Sequence, residues 1–201
     1  MEAVIIAAGE GSRLRPTGAG RAYYPPKPLT PLLGLTLIER ALLSLRENGI
    51  RDIIIVIGHR GEEIRDRLGD GARYGVRLKF IENRRWREGN GSSVLAAREA
   101  LAGDSPFLLL MSDHVAEPRL LGRLLAAGPP RPGEVHLAVD FDRHKVFQVD
   151  EATRVVVEEG KVREIGKGLG HYDGVDCGFF LCTSALFDTL AEEAEEGRHA
   201  L

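Results

Sequence analysis

The residues best suited to chemistry lie where apolar runs end. The run Ala3–Ala8 (AVIIAA) leads into Gly9-Glu10-Gly11-Ser12-Arg13-Leu14. A glycine-rich turn at the carboxyl end of a first buried strand is where open α/β sheets bind phosphates. Glycine lets the backbone approach, and successive N–H groups cradle oxyanions. The turn is not a Walker-type loop, because no Gly-Lys-Ser/Thr follows Gly9. It is not GxGxxG either, because Leu14 stands where the last glycine would be. Lys27 follows Arg13 by fourteen residues, inside Pro26-Lys27-Pro28-Leu29. Its flanking prolines stiffen the backbone that presents it. A lysine held this way beside a glycine turn and an arginine suits a triphosphate. Residues Arg15–Pro25 between them are rich in Gly, Pro and Tyr and follow no helix or strand pattern. A long irregular loop of this kind is functional or disordered. Tyr23 and Tyr24 on it either stack on a ligand or pack the loop.

Asp113 follows a second apolar run, Pro106–Met111 (PFLLLM). A carboxylate at the carboxyl end of a buried strand is costly unless it holds a cation or hydrogen bonds. Mg²⁺ is its natural partner, since Mg²⁺ bridges one or two carboxylates and substrate phosphates. The alternative is a helix cap for the segment after residue 116. His114 either orients a phosphate or packs under the sheet edge. Gly89-Asn90-Gly91 precedes a helical segment. Its glycines permit close backbone approach, and the Asn90 amide both donates and accepts; a plain helix-entry turn is the other reading.

These residues need a frame, and the hydrophobic pattern supplies one. Ala3–Ala8, Asp52–Ile57, Val76–Ile81, Pro106–Met111 and Glu134–Phe141 read as strands. Thr36–Asn48, Glu62–Leu68, Ser92–Leu101 and Pro118–Ala127 read as helices, with Gly49 ending the first and Ser92 or Ser93 capping the third. Apolar strands separated by helices imply a parallel sheet covered on both faces. The pattern changes after Asp142. Thr153–Glu158 and Lys161–Ile165 flank Glu159-Gly160, a strong hairpin signal. Gly174–Cys182 is a further strand, and a helix begins at Ser184. Glu192–Glu196 reads as a solvated helix end. The expectation is therefore one domain over 1–201, with an α/β core at 1–141 and a second half at 142–201.

Composition narrows the function. The chain has 201 residues, a net charge of −3, 22 Arg and 5 Lys. Mild acidity disfavours a general nucleic-acid binder. The longest apolar runs, Ile53–Ile57 and Phe107–Met111, are too short to span a bilayer. Cys177 and Cys182 are five apart, an odd offset that sends them to opposite faces of a strand. With no visible signal peptide, a reducing, cytoplasmic location is expected.

AAGEGSRL followed by PKPL resembles the signature of the nucleoside-triphosphate:sugar-1-phosphate nucleotidyltransferases. Glu88–Ser93 (EGNGSS), Met111–Val115 (MSDHV), Asp150–Val157 (DEATRVVV), Glu164–Lys167 (EIGK) and Val175–Phe180 (VDCGFF) resemble, in the same order, the inositol-1-phosphate cytidylyltransferase branch. The resemblance covers nearly the whole chain. It implies an α/β fold with a Rossmann-like, doubly wound mixed sheet and a small antiparallel β appendage. It implies transfer of cytidylyl from CTP to inositol 1-phosphate, with Mg²⁺ on Asp113. Arg13, Lys27 and Asp113 would be catalytic. The nucleotide would meet Ala7, Ala8, Gly9, Gly11, Ser12, Arg13, Lys27, Glu82, Asn83, Asn90, Gly91 and Ser92. The acceptor would meet His114, Lys167 and Asp176, although Asp176 also reads as a cap or strand-end ion pair. Lys145 and Arg143 are further candidates that a solvated face explains equally. Family members carry a second acidic metal ligand downstream of the VDCGFF segment, and no match is found before Leu201, so truncation at the carboxyl end is expected. The family's domain is also fused to, or partnered with, a membrane CDP-alcohol transferase.

Overall fold

The computed structural model describes residues 1–11, 24–115, 117–146 and 150–196. Strand β1 (Glu2–Ala7) pairs in parallel with β4 (Asp52–Ile57) on one side and β6 (Phe107–Met111) on the other. Strand β5 (Arg77–Glu82) pairs in parallel with β4. These four strands carry the carboxyl-end turns of the first half. Side chains alternate between two cores. Ala3, Ile5, Ile53, Ile55, Leu108 and Leu110 meet α1 (Leu37–Glu47), α2 (Gly61–Leu68) and α4 (Pro118–Ala126). Val4, Ile6, Ile54, Val56, Phe107 and Leu109 meet α3 (Asn90–Ala96) and α5 (Ala185–Glu195). Burial on both faces explains why the strands are continuously apolar.

The second half departs from an all-parallel sheet. Strand β10 (Gly174–Cys182) is the seam. Its end, Phe179–Cys182, runs antiparallel to β6, and Gly174-Val175 meets β8 (Arg154–Glu158). The expected fifth strand, β7 (His136–Asp140), pairs antiparallel with β10 rather than extending the parallel set. The β8–β9 hairpin, with β9 at Lys161–Gly166, is joined to the main sheet through β10. Its turn has φ 49° at Glu159 and 74° at Gly160, the paired left-handed geometry that Glu-Gly announced. A second small sheet was not anticipated: β2 (Pro31–Leu32) and β3 (Leu35–Thr36) form a tight hairpin over Leu33-Gly34. Two residues per strand are too few to show an alternation.

Helix boundaries follow local chemistry. Helix α1 starts in a capping box: Thr36 Oγ accepts from the Glu39 N–H, and Glu39 accepts from the Thr36 N–H. It ends as expected at Gly49 (φ 80°), where the Gly49 N–H reaches Arg46 O and the Ile50 N–H reaches Leu45 O. Ser92 and Ser93 do not cap α3. That helix begins two residues earlier, after Gly89, and Ser92 Oγ reaches back to the Gly89 and Arg85 carbonyls. Cys177 packs with one core and Cys182 lies in the other, as their offset requires.

Candidate active site

Lys27 opens a short 3-10 turn, Lys27–Leu29. Pro28 is buried, Leu29 N–H donates to Pro26 O at 2.8 Å, and Thr30 N–H donates to Lys27 O at 3.0 Å. The glycine turn packs against it. Gly11 has φ +63°, and a Cβ there would stand 2.7 Å from Lys27 Cβ. Only glycine satisfies both the conformation and the contact. Gly9, by contrast, faces open space.

Asp113 lies two residues beyond β6. The Ser112 N–H still donates to Ile6 O at 3.1 Å, which holds the loop level with the exit of β1. Lys27 Nζ donates to Asp113 Oδ2, and His114 Nδ1 meets Asp113 Oδ1 at 2.8 Å. Burial opposes the carboxylate's charge, but the His114 and Lys27 hydrogen bonds prevail and hold its pKa well below the usual range. Asp113 does not cap α4, whose N-cap is Glu117 without a side-chain bond.

His114 is fixed from below by β10. That strand carries a bulge between Asp176 and Phe180, and Gly178 in it has φ +73°. A Cβ on Gly178 would meet the His114 ring at 2.7 Å, and the Phe179 ring stands edge-on to it with centroids 6.4 Å apart. The hydrogen bond to Asp113 raises the His114 pKa against the effect of burial. Asp176 Oδ1 accepts from the Gly178 N–H at 2.6 Å, and burial pushes its pKa up. Asp176 therefore braces the bulge as well as facing His114.

Other expected residues sit elsewhere. Ala7 and Ala8 are buried, and Ala8 O accepts from the His59 N–H at 2.9 Å. Asn83 is buried and fully engaged: Nδ2 donates to Ser92 Oγ and Ser93 Oγ at 3.0 Å, and Oδ1 accepts from the Arg85 N–H at 2.9 Å. Its amide ties β5 to α3. Asn90 is exposed and Gly91 buried at the start of α3. Glu82 is exposed and 3.9 Å from Arg84. Lys167 is exposed on the turn after β9. Arg143 Nη1 donates to Tyr172 O at 2.8 Å. Ser12, Arg13 and Tyr23 lie outside the described residues.

Sequence reasoning passed over Gly58-His59-Arg60-Gly61. A Cβ on Gly58 would stand 2.7 Å from Ala8 O and 2.9 Å from Trp86, and the His59 and Trp86 rings lie 5.2 Å apart. Arg60, Tyr24, Pro25, Lys27, Glu10 and Gly11 line one cavity of about 220 Å³. The signal was present: a second glycine-bearing strand-to-helix turn on the edge where such sheets bind ligands.

The bifunctional IPC transferase and DIPP synthase of Rubrobacter xylanophilus is 41% identical over 94% of this chain and 40% of that protein. The protein of the same name from Aquifex aeolicus is 31% identical over 96% of this chain and 41% of its own length. The chain thus spans about two fifths of these curated relatives. The structure of the inositol-1-phosphate CTP transferase from T. maritima shares the fold, with a TM-score of 0.75 over 99% of this chain and 83% of that one at 24% identity. The MobA-like NTP transferase domain family matches residues 3–198. With a glycine turn, a proline-braced lysine and a strand-end aspartate assembled on one sheet edge, the chain belongs to the MobA-like NTP transferase domain family.

Proposed function

We propose that this domain transfers cytidylyl from CTP to inositol 1-phosphate, releasing pyrophosphate and forming CDP-inositol. The observation that carries the reading is the Gly11–Lys27–Asp113–His114 cluster, in a chain 41% identical over nearly its whole length to a bifunctional IPC transferase. The acceptor's phosphate oxygen attacks the α-phosphorus of CTP in line, and the bond to pyrophosphate breaks. A phosphate monoester is already anionic at neutral pH, so no protein nucleophile is required. Catalysis is positioning and charge stabilisation.

The chain's residues divide the work. The Gly9–Gly11 backbone, with Ser12 and Arg13, receives the β- and γ-phosphates. Lys27 stabilises charge on the α-phosphate. Asn90, Gly91 and Glu82 border the nucleoside, while Asn83 and Ser92 hold that border in shape. His114 from the core, with Asp176 and Lys167 from the half after residue 142, serves the acceptor.

Asp113 fits Mg²⁺: it is ionised, at a strand end, and engaged by a cation and an imidazole. Among the described residues no group of three or more acidic, His or Cys side chains gathers around it. Asp113 would hold the ion, which would supply neutralisation of phosphate charge, and Lys27 would be free to exchange its carboxylate partner for a phosphate.

Among the described residues no helix is long and apolar enough to cross a membrane. We place the domain in the cytoplasm. Its product would be consumed by a CDP-alcohol transferase, fused or separate, of the kind the resemblance implies; the bifunctional relatives, named for an IPC transferase and a DIPP synthase, fit a fused partner.

Pyrophosphate release with Mg²⁺, the common nucleoside triphosphates and a panel of phosphorylated acceptors tests the reading. Turnover with CTP and inositol 1-phosphate alone is the expected result. Turnover with a sugar 1-phosphate or choline phosphate replaces the acceptor. Silence across the panel, with folded protein, points to a binding or regulatory domain instead.

A further inference from the structure

Arg60 occupies a position that its side-chain type disfavours. It is the N-cap residue of α2, with φ 53° and ψ 34°, in the left-handed region. Non-glycine residues there carry strain, and outside hairpin turns such as Leu33-Gly34 and Glu159-Gly160 they cluster at functional sites. The flanking glycines lock the segment. A Cβ on Gly58 would strike Ala8 O, and one on Gly61 would stand 2.7 Å from Ile57 Cβ. The guanidinium is held in a fork by Glu63, with Nε to Oε1 at 2.5 Å and Nη2 to Oε2 at 2.8 Å. Its remaining arm, Nη1, donates to the Tyr24 carbonyl at 2.6 Å. Tyr24 is followed by Pro25-Pro26-Lys27. Two prolines have fixed φ, so a displacement at Tyr24 passes to Lys27 instead of being absorbed between them.

We infer that Arg60 is a positioning residue for nucleotidyl transfer, a latch that anchors the Lys27 turn to α2 through the Tyr24 carbonyl. Arg60 acts through Lys27. Glu63 orients the latch, and the left-handed backbone aims it. The kinetic arm of the test rests on the cytidylyltransferase reading above; the exchange arm does not.

The experiment compares the parent with Arg60→Ala, Arg60→Gly, Lys27→Ala and the double variant Lys27→Ala/Arg60→Ala. Pyrophosphate release is measured with CTP and inositol 1-phosphate, or with whichever pair the panel shows to be turned over. Arg60→Ala is expected to lower kcat about tenfold, with the nucleotide KM moving less than about threefold. Arg60→Gly relieves the backbone strain, so it loses activity equally while melting at or above the temperature of Arg60→Ala. The double variant is as slow as Lys27→Ala alone, because the latch has nothing left to position. A further tenfold loss in the double variant overturns the proposal. Amide exchange without substrate supplies the independent arm. The Leu29 and Thr30 amides, which close the Lys27 turn, exchange about tenfold faster in Arg60→Ala, while Gly49 and Ile50 at the end of α1 do not change. Unchanged exchange at Leu29 and Thr30 overturns the latch even in a chain that turns over nothing. Faster exchange in an inactive parent retires the cytidylyltransferase reading and keeps the latch.

Discussion

Asp113 and Glu39 are both carboxylates with depressed pKa values and cationic partners, yet they do different things. Glu39 is buried in the first turn of α1. Burial opposes its charge, but bonds from the Tyr74 hydroxyl at 2.6 Å, the Thr36 N–H at 2.7 Å and Arg67 at 3.0 Å bring its pKa from 4.5 to about 2. Burial first, and then the bond to Glu39, push the Tyr74 hydroxyl up to about 12. That network pins α1 to α2 and to the 3-10 turn Ala72–Tyr74. Asp113 instead faces a lysine from a loop 86 residues away and a histidine lying on a bulge. Glycines close in on both partners, Gly11 on Lys27 and Gly178 on His114. A depressed pKa therefore does not distinguish a working carboxylate from a structural one. The exchangeability of its partners does: on the reading proposed above, a phosphate would replace Asp113 at Lys27 and a metal ion would replace Lys27 at Asp113, whereas nothing in solution can replace a capping box.

Substitution separates the two carboxylates. Asp113→Ala should lower kcat about a thousandfold and cost less stability than Glu39→Ala, since Lys27 and His114 are part-exposed and can turn to water. A large loss of stability would place Asp113 with Glu39. Lys27→Ala should lower kcat about a hundredfold, read by the same pyrophosphate assay; activity within tenfold of the parent would remove lysine from the mechanism. Glu39→Ala should cost about 3 kcal/mol in urea unfolding, because Arg67, Tyr74 and the Thr36 N–H lose a buried acceptor. Its kcat per folded molecule should stay near the parent's, and a matching collapse of kcat would merge the two regions into one.

Acid titration sharpens the contrast. A carboxylate whose folded pKa is depressed contributes stability above its unfolded pKa and loses it as pH falls through the folded value. The Glu39 contribution is therefore complete above about pH 5 and fades between pH 4.5 and about 2. Urea midpoints of the parent and of Glu39→Gln should converge over that window; a constant gap would deny the linkage. The smallest effect is expected at the other end of α1. Gly49→Ala, at φ 80°, should cost about 1 kcal/mol and leave activity untouched.

Local physics made much of this legible in advance. Apolar runs, helix periodicity, the Gly49 stop and the Glu159-Gly160 turn are decided within a few residues, and they appear in the structure close to where they were expected. Gly11, Lys27 and Asp113 were legible because each stands beside a strand end that the pattern locates. Asn83 was less legible: the resemblance puts it at the nucleotide, while the fold engages its amide with Ser92, Ser93 and Arg85, a pairing that only the packing of β5 on α3 decides.

The sequence by itself determined which segments become strands and helices, because backbone propensity and side-chain period act over one or two turns. It also determined that a stiff lysine follows a phosphate-sized glycine turn. Tertiary structure decided the direction of β7, the seam at β10, the bulge under His114, the burial of Glu39 and the reach of Arg60 to Tyr24. Each of these is a pairing between distant segments, settled by register and packing across the sheet. An apolar run has the same composition whichever way its neighbour points.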